Sequence, residues 1–183
     1  MGLLPHLLTA SRLVACPIIV WLLLTHRFKA ALVVVLAAAL TDWLDGYTAR
    51  RLGVSGKFGV VLDPLADKVL LVAVFLTLGG IGLIPMWMLF LVIARDVVIV
   101  TGALLLRIVR GVRKFRPLTS GKVSTFFQVL LVLLVLIFAA FPFTPLYWLA
   151  KAALFSSAAL TLSSGAAYIR KGILMSTGHW SGD

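Results

Sequence analysis

Four aspartates carry most of the chemistry open to this 183-residue chain, which has no glutamate at all. Asp42 and Asp45 are spaced three apart, and Asp63 and Asp67 four apart. Both spacings put the pair on one helix face, one turn apart. Two such pairs on facing helices gather carboxylate oxygens, which hard divalent cations prefer. Mg2+ or Mn2+ suits a site that keeps positions open for a substrate phosphate. Four carboxylates can hold two such ions about 3.5–4 Å apart, and the ions would remove the repulsion among the acids. Gly46 and Gly59 lack side chains where two helices and a ligand would approach closely. Arg50 lies between one and two turns beyond Asp45, and its long side chain could reach a phosphate. A plain pairing of these acids with Arg or Lys at a helix end would explain one aspartate, but not four at paired helical spacing.

The elements that must hold these acids are apolar. Hydrophobic residues make up 62% of the chain and charged residues 13%, against about 25% charged in soluble domains. The mean hydropathy is +1.12. The expected fold is an all-α integral membrane domain over residues 1–171, with a flexible tail over 172–183. Apolar runs at about 20 residues per span place six transmembrane helices near 3–25, 30–49, 59–80, 84–108, 121–142 and 145–169. Gly79-Gly80-Ile81-Gly82 and Phe141-Pro142-Phe143-Thr144-Pro145 punctuate two short turns. Ala37-Ala38-Ala39 resembles a signal-cleavage region, but the apolar stretch before it is too long and already broken at His26-Arg27-Phe28-Lys29, so no cleavage is expected.

The net charge of +11 would point to nucleic acid in a soluble protein. Here the basic residues flank apolar spans, so no nucleic-acid partner is expected; the loops could instead attract anionic lipid headgroups. Arg50, Arg51 and Lys57 follow the second span. Arg107, Arg110, Arg113, Lys114 and Arg116 follow the fourth, and Arg170 and Lys171 the sixth. The other side offers Arg27, Lys29 and Lys151. This bias puts both termini in the cytoplasm, with the four aspartates in the cytoplasmic half of the second and third spans. Cys16 is the only cysteine, so it forms no disulfide within the chain and makes no cysteine metal site. His6, His26 and His179 show no ligand spacing, and the tryptophans suit the membrane interface.

The residues from Asp42 to Asp67 read Asp-x2-Asp-Gly-x2-Ala-Arg-x8-Gly-x3-Asp-x3-Asp. This pattern resembles the signature of the CDP-alcohol phosphotransferases, also called CDP-alcohol phosphatidyltransferases. The resemblance covers most of the chain and implies six helices around a cytoplasmic active site in the cell (inner) membrane. It implies that CDP-diacylglycerol donates its phosphatidyl group to an alcohol and that CMP leaves. It makes Asp42, Asp45 and Asp63 chiefly metal ligands, and Asp67 the general base as well as a further metal contact. Gly46, Ala49, Arg50 and Gly59 would line the CDP pocket, and a homodimer is the expected assembly.

The acceptor is read from weaker likenesses. Pro5-His6-Leu7-Leu8-Thr9-Ala10-Ser11-Arg12 resembles the start of the glycerol-type enzymes, with His6 in place of their Asn. Ala94-Arg95-Asp96-Val97 resembles the cardiolipin synthases. So does Pro117 through Gln128, although Gly121 and Ser124 depart from the Ser and Asn of that element. Phosphatidylglycerol, giving cardiolipin, is thus the favoured acceptor, with glycerol 3-phosphate as the alternative. Both are anionic, and Arg12, Arg95 and Lys122 are the candidates for the acceptor's phosphate. Adjacent helix positions point in different directions, so Arg95 and Asp96 are each expected to need a partner of their own. A metal-ion or proton transporter is the rival class, but it would spread its acids along a path across the bilayer rather than cluster them near one face.

Overall fold

In a computed structural model of the chain, the backbone is described over residues 3–52, 59–110 and 118–176, and the side chains over 14–41, 68–105, 108 and 118–175. The described residues form six helices: α1 (Leu3–Leu24), α2 (Phe28–Leu52), α3 (Gly59–Gly80), α4 (Met86–Arg110), α5 (Thr119–Ala140) and α6 (Thr144–Ser176). Three of them contain stretches long and apolar enough to cross a membrane: Met86–Leu105, Thr119–Ala140 and Thr144–Met175. No more than 39% of each such stretch is covered by the chain itself. The exposed side chains include Phe90, Val100, Ile108, Phe126 and Phe155, apolar surface that hydrocarbon would cover without penalty.

Two turns share one mechanism. After α3, Gly82 takes φ 78°. Its N–H donates to Gly79 C=O at 3.1 Å, and Leu83 N–H to Leu78 C=O at 2.9 Å. This is a Schellman closure, which satisfies the last carbonyls of a helix. After α1 the same bonds run from His26 N–H to Leu23 C=O and from Arg27 N–H to Leu22 C=O. Here the left-handed position is held by His26 at φ 56° rather than by glycine, a conformation that costs an L-residue roughly 1–2 kcal/mol. His26 is exposed and meets the Phe28 ring edge-on at 5.5 Å. At the start of α6, Pro145 falls in the first turn, where no helical partner for its missing N–H would exist.

The residues pack as two compact units. The first comprises Met1–Ile84 and Val132–Tyr147. In it α1 packs against both α2 and α3, and the core is nearly all apolar: Ile19, Leu23, Phe75, Leu78 and Leu136 are fully buried. The second comprises Pro85–Leu131 and Trp148–Asp183. It also buries Met88, Val92 and Leu131, but carries a polar seam of Arg95, Ser124, Gln128, Ser157, Thr161 and Ser164. The first residues of the segment expected as a tail are helical. The last helix continues through Gly172 to Ser176, since propagation adds a backbone bond per residue. Residues 177–183 lie outside the described residues.

Candidate active site

Asp42, Asp45, Gly46, Ala49 and Arg50 belong to α2, and Gly59, Asp63 and Asp67 to α3. The three- and four-residue spacings therefore fall on helical backbone, as the one-turn geometry requires. These side chains, and that of Arg12 on α1, lie outside the described residues. Among the described residues no group of three or more His, Cys, Asp or Glu side chains comes together, so the described part offers no rival metal centre. Four carboxylates on consecutive helices are a hard oxygen donor set, which fits Mg2+ or Mn2+.

The second unit holds the other two candidates, and they differ sharply. Lys122 is exposed in the first turn of α5. Arg95 is buried, and its guanidinium donates inward from every nitrogen. Nη1 meets Asp96 Oδ1 at 2.8 Å. Nε and Nη2 meet Ser164 Oγ at 3.4 and 3.1 Å, and Nη2 also meets Gly121 C=O at 3.2 Å. The Tyr168 ring lies 5.8 Å from the guanidinium carbon, within reach of a cation–π attraction. Arg95 thus has partners of its own, as expected, and the two neighbours also pair with each other. Their Cβ vectors do diverge on α4, but the arginine stem is long enough to bend back to the neighbouring carboxylate. A buried guanidinium must be paired, and here α4, α5 and α6 all contribute partners.

Sequence reasoning missed Tyr168. Its hydroxyl accepts the Leu118 N–H at 2.9 Å, and it lies 2.8 Å from where a Cβ on Gly121 would stand, with Arg95 Nη2 at 2.9 Å. The available signal was a lone tyrosine after the small residues Ser163 to Ala167, whose polar tip needs a partner when its ring is buried. Deeper in the seam, Ser124 and Thr161 hydroxyls meet at 3.1 Å, and Gln128 Nε2 donates to Thr161 Oγ1 at 3.0 Å. Gln128 Oε1 and Ser157 Oγ are the buried polar atoms without a partner among the described residues.

A family model described as CDP-alcohol phosphatidyltransferase matches residues 2–163. A CDP-diacylglycerol–glycerol-3-phosphate 3-phosphatidyltransferase of Aquifex aeolicus is 39% identical over 130 residues, covering 67% of this chain and 69% of its own. A chloroplastic enzyme with the same activity in its name, from Oryza sativa subsp. japonica, is 33% identical over 148 residues, covering 70% of this chain and 44% of its own. A cardiolipin synthase (CMP-forming) / mitochondrial hydrolase fusion protein of Schizosaccharomyces pombe is 35% identical over 181 residues, covering 90% of this chain and 30% of its own. The chain thus spans less than half the length of the rice and fission-yeast relatives.

Proposed function

Because the chain belongs to the CDP-alcohol phosphatidyltransferase family, we propose that it moves the phosphatidyl group of CDP-diacylglycerol onto the hydroxyl of an anionic glycerol-type acceptor, releasing CMP. The observation that carries this reading is the unbroken eight-position pattern from Asp42 to Asp67, laid on two consecutive helices. Asp67 takes the proton of the acceptor hydroxyl. The freed oxygen bonds to the phosphatidyl phosphorus as the bond from that phosphorus to the pyrophosphate bridging oxygen breaks, and the electron pair leaves with CMP. Asp42, Asp45, Asp63 and Asp67 would hold two Mg2+ or Mn2+ ions, whose chemistry is to neutralise charge building on the pyrophosphate. Gly46 and Gly59 would let the nucleotide approach the backbone, with Ala49 and Arg50 beside it. A base positioned this way is worth about 10²–10⁴ in rate.

The acceptor's phosphate would be met by Arg12 and Lys122. Lys122 is supported by its exposure, whereas Arg95 already satisfies its nitrogens within the protein. Phosphatidylglycerol, yielding cardiolipin, is the first reading, supported by the coverage of 90% of this chain in the fission-yeast likeness. Glycerol 3-phosphate is the second, supported by the Aquifex likeness, which covers about two thirds of both chains. All six helices would cross the cell (inner) membrane with both termini and the aspartates on the cytoplasmic side, in a homodimer. The test is CMP release by purified protein given CDP-diacylglycerol and Mn2+ or Mg2+, with glycerol 3-phosphate, phosphatidylglycerol, inositol phosphate and serine offered in turn. CMP release that needs an acceptor and is abolished by chelator is expected. No release with any acceptor, or release indifferent to chelator, overturns the mechanism.

A further inference from the structure

The start of α5 is capped by a different helix. Leu118 stands at its N-cap, since Gly121 N–H already donates to Leu118 C=O at 3.0 Å. A leucine offers no side-chain oxygen to the unpaired N–H groups of a first turn. In the usual reciprocal cap, the residue three positions into the helix reaches back to the N-cap N–H. Here that residue is Gly121, which has nothing to reach with. Tyr168 of α6 supplies the missing oxygen, accepting the Leu118 N–H at 2.9 Å from a point 2.8 Å from the absent Gly121 Cβ. Arg95 of α4 holds the same turn through the Gly121 carbonyl at 3.2 Å. The first turn of α5 is therefore registered against α6 and α4 rather than by its own sequence, and Lys122 is the next residue along.

We propose that Tyr168 is a positioning residue for Lys122: its hydroxyl fixes the first turn of α5, so that the Lys122 ammonium stands where the phosphate of the anionic acceptor binds. This rests on the reading of Lys122 as an acceptor contact. A lysine ammonium is a strongly hydrated point charge on a flexible stem, so its backbone anchor decides which phosphate positions it reaches. Leu118 is also the last residue before the helix on the connection from α4, and the Tyr168 bond holds that end of the connection in place. Gly121, a departure from the cardiolipin-synthase element, has its space filled by the Tyr168 hydroxyl and the Arg95 guanidinium.

The test is steady-state CMP release by the full chain in lipid nanodiscs, at saturating CDP-diacylglycerol, varying whichever of glycerol 3-phosphate and phosphatidylglycerol supports turnover. Tyr168→Phe removes one acceptor oxygen and leaves the ring. It is expected to raise the acceptor KM about two- to tenfold, the worth of one hydrogen bond, with kcat and the CDP-diacylglycerol KM nearly unchanged. Gly121→Ala, which pushes the same hydroxyl away sterically, should show the same split. Lys122→Gln should raise the acceptor KM, and adding Tyr168→Phe to it should raise it no further, because both act through one contact. If Tyr168→Phe lowers only the unfolding temperature, or if its effect adds to that of Lys122→Gln, Tyr168 is a structural cap and the proposal is overturned while the acceptor reading stands. If Lys122→Gln itself leaves the acceptor KM unchanged, the acceptor reading fails and the proposal falls with it.

Discussion

Gly121→Ala is the substitution on which intrinsic helix preference and tertiary packing disagree in sign. Gly121 lies within α5, and alanine in a helix is worth roughly 0.5–1 kcal/mol over glycine. Against that, the new Cβ would stand 2.8 Å from the Tyr168 hydroxyl, 2.9 Å from Arg95 Nη2 and 3.1 Å from Tyr168 Cε2. Tyr168 is only 7% exposed, so its ring has little room to retreat. Overpacking of this kind costs about 1–3 kcal/mol. A displaced hydroxyl also leaves the Leu118 N–H without its acceptor, a further loss of about 1 kcal/mol. The sum is a net destabilisation of about 2 kcal/mol, read by reversible unfolding of the purified protein in dodecylmaltoside micelles titrated with SDS. Adding Tyr168→Phe removes the oxygen that collides, so the double variant should be less destabilised than the two single effects added together. Stability of Gly121→Ala equal to or above the wild type would refute the packing argument.

Serine-to-alanine changes seven residues apart on α6 should separate in outcome. Ser164→Ala strips two donors' partner from the buried Arg95 and should destabilise by about 1.5–3 kcal/mol in the same titration, whereas Ser157→Ala removes a buried hydroxyl that has no partner among the described residues and should be neutral or stabilising. His26→Gly relieves the left-handed residue of the α1–α2 turn and should raise stability by about 0.5 kcal/mol, after the unfolded-state cost of glycine is deducted; a clear loss would mean that the Phe28 edge contact outweighs the backbone. Asp67→Asn should lower CMP release at least 100-fold, on the order expected for a lost general base, while CDP-diacylglycerol binding, measured by ligand-induced thermal stabilisation, persists. Near-normal turnover in that variant would exclude Asp67 as the base.

The helices were legible because the chemistry of each is local. Apolar runs of the right length, interrupted by Gly79-Gly80-Ile81-Gly82 and Phe141-Pro142-Phe143, set the ends of α3 and α5 to within a few residues. The α1–α2 turn was placed by its charges alone, since nothing in the residue type of His26 announces a left-handed position that glycine usually fills. Arg95, Ser124 and Gln128 stood out in the sequence, but their assembly into one polar seam was not legible. Its partners are far apart in sequence, 69 residues between Arg95 and Ser164 and 50 between Leu118 and Tyr168. The rule that neighbours on a helix diverge holds for Cβ atoms, but Arg95 reaches Asp96 with the far end of its side chain. Gly121 looked like a defect in a family pattern because its meaning lies in the space that Tyr168 occupies.

The two halves of the proposed chemistry are therefore supported in different ways. The aspartates are specified by spacing along two helices, and any chain that keeps those helices keeps the pairs on their faces. The acceptor contact at Lys122 depends on a cap assembled from α4, α5 and α6, so substitutions far from Lys122 in sequence can move it. A buried guanidinium is costly unless it is fully paired, and Arg95 is paired by a neighbouring carboxylate, a serine hydroxyl and a carbonyl that becomes available only because Gly121 carries no side chain. Loss of any one partner would strand charge in a low-dielectric interior, which ties Gly121, Ser164 and Tyr168 to Arg95. Acceptor KM should accordingly be sensitive to substitutions throughout this group, while loss of an aspartate of the motif should lower kcat with every acceptor.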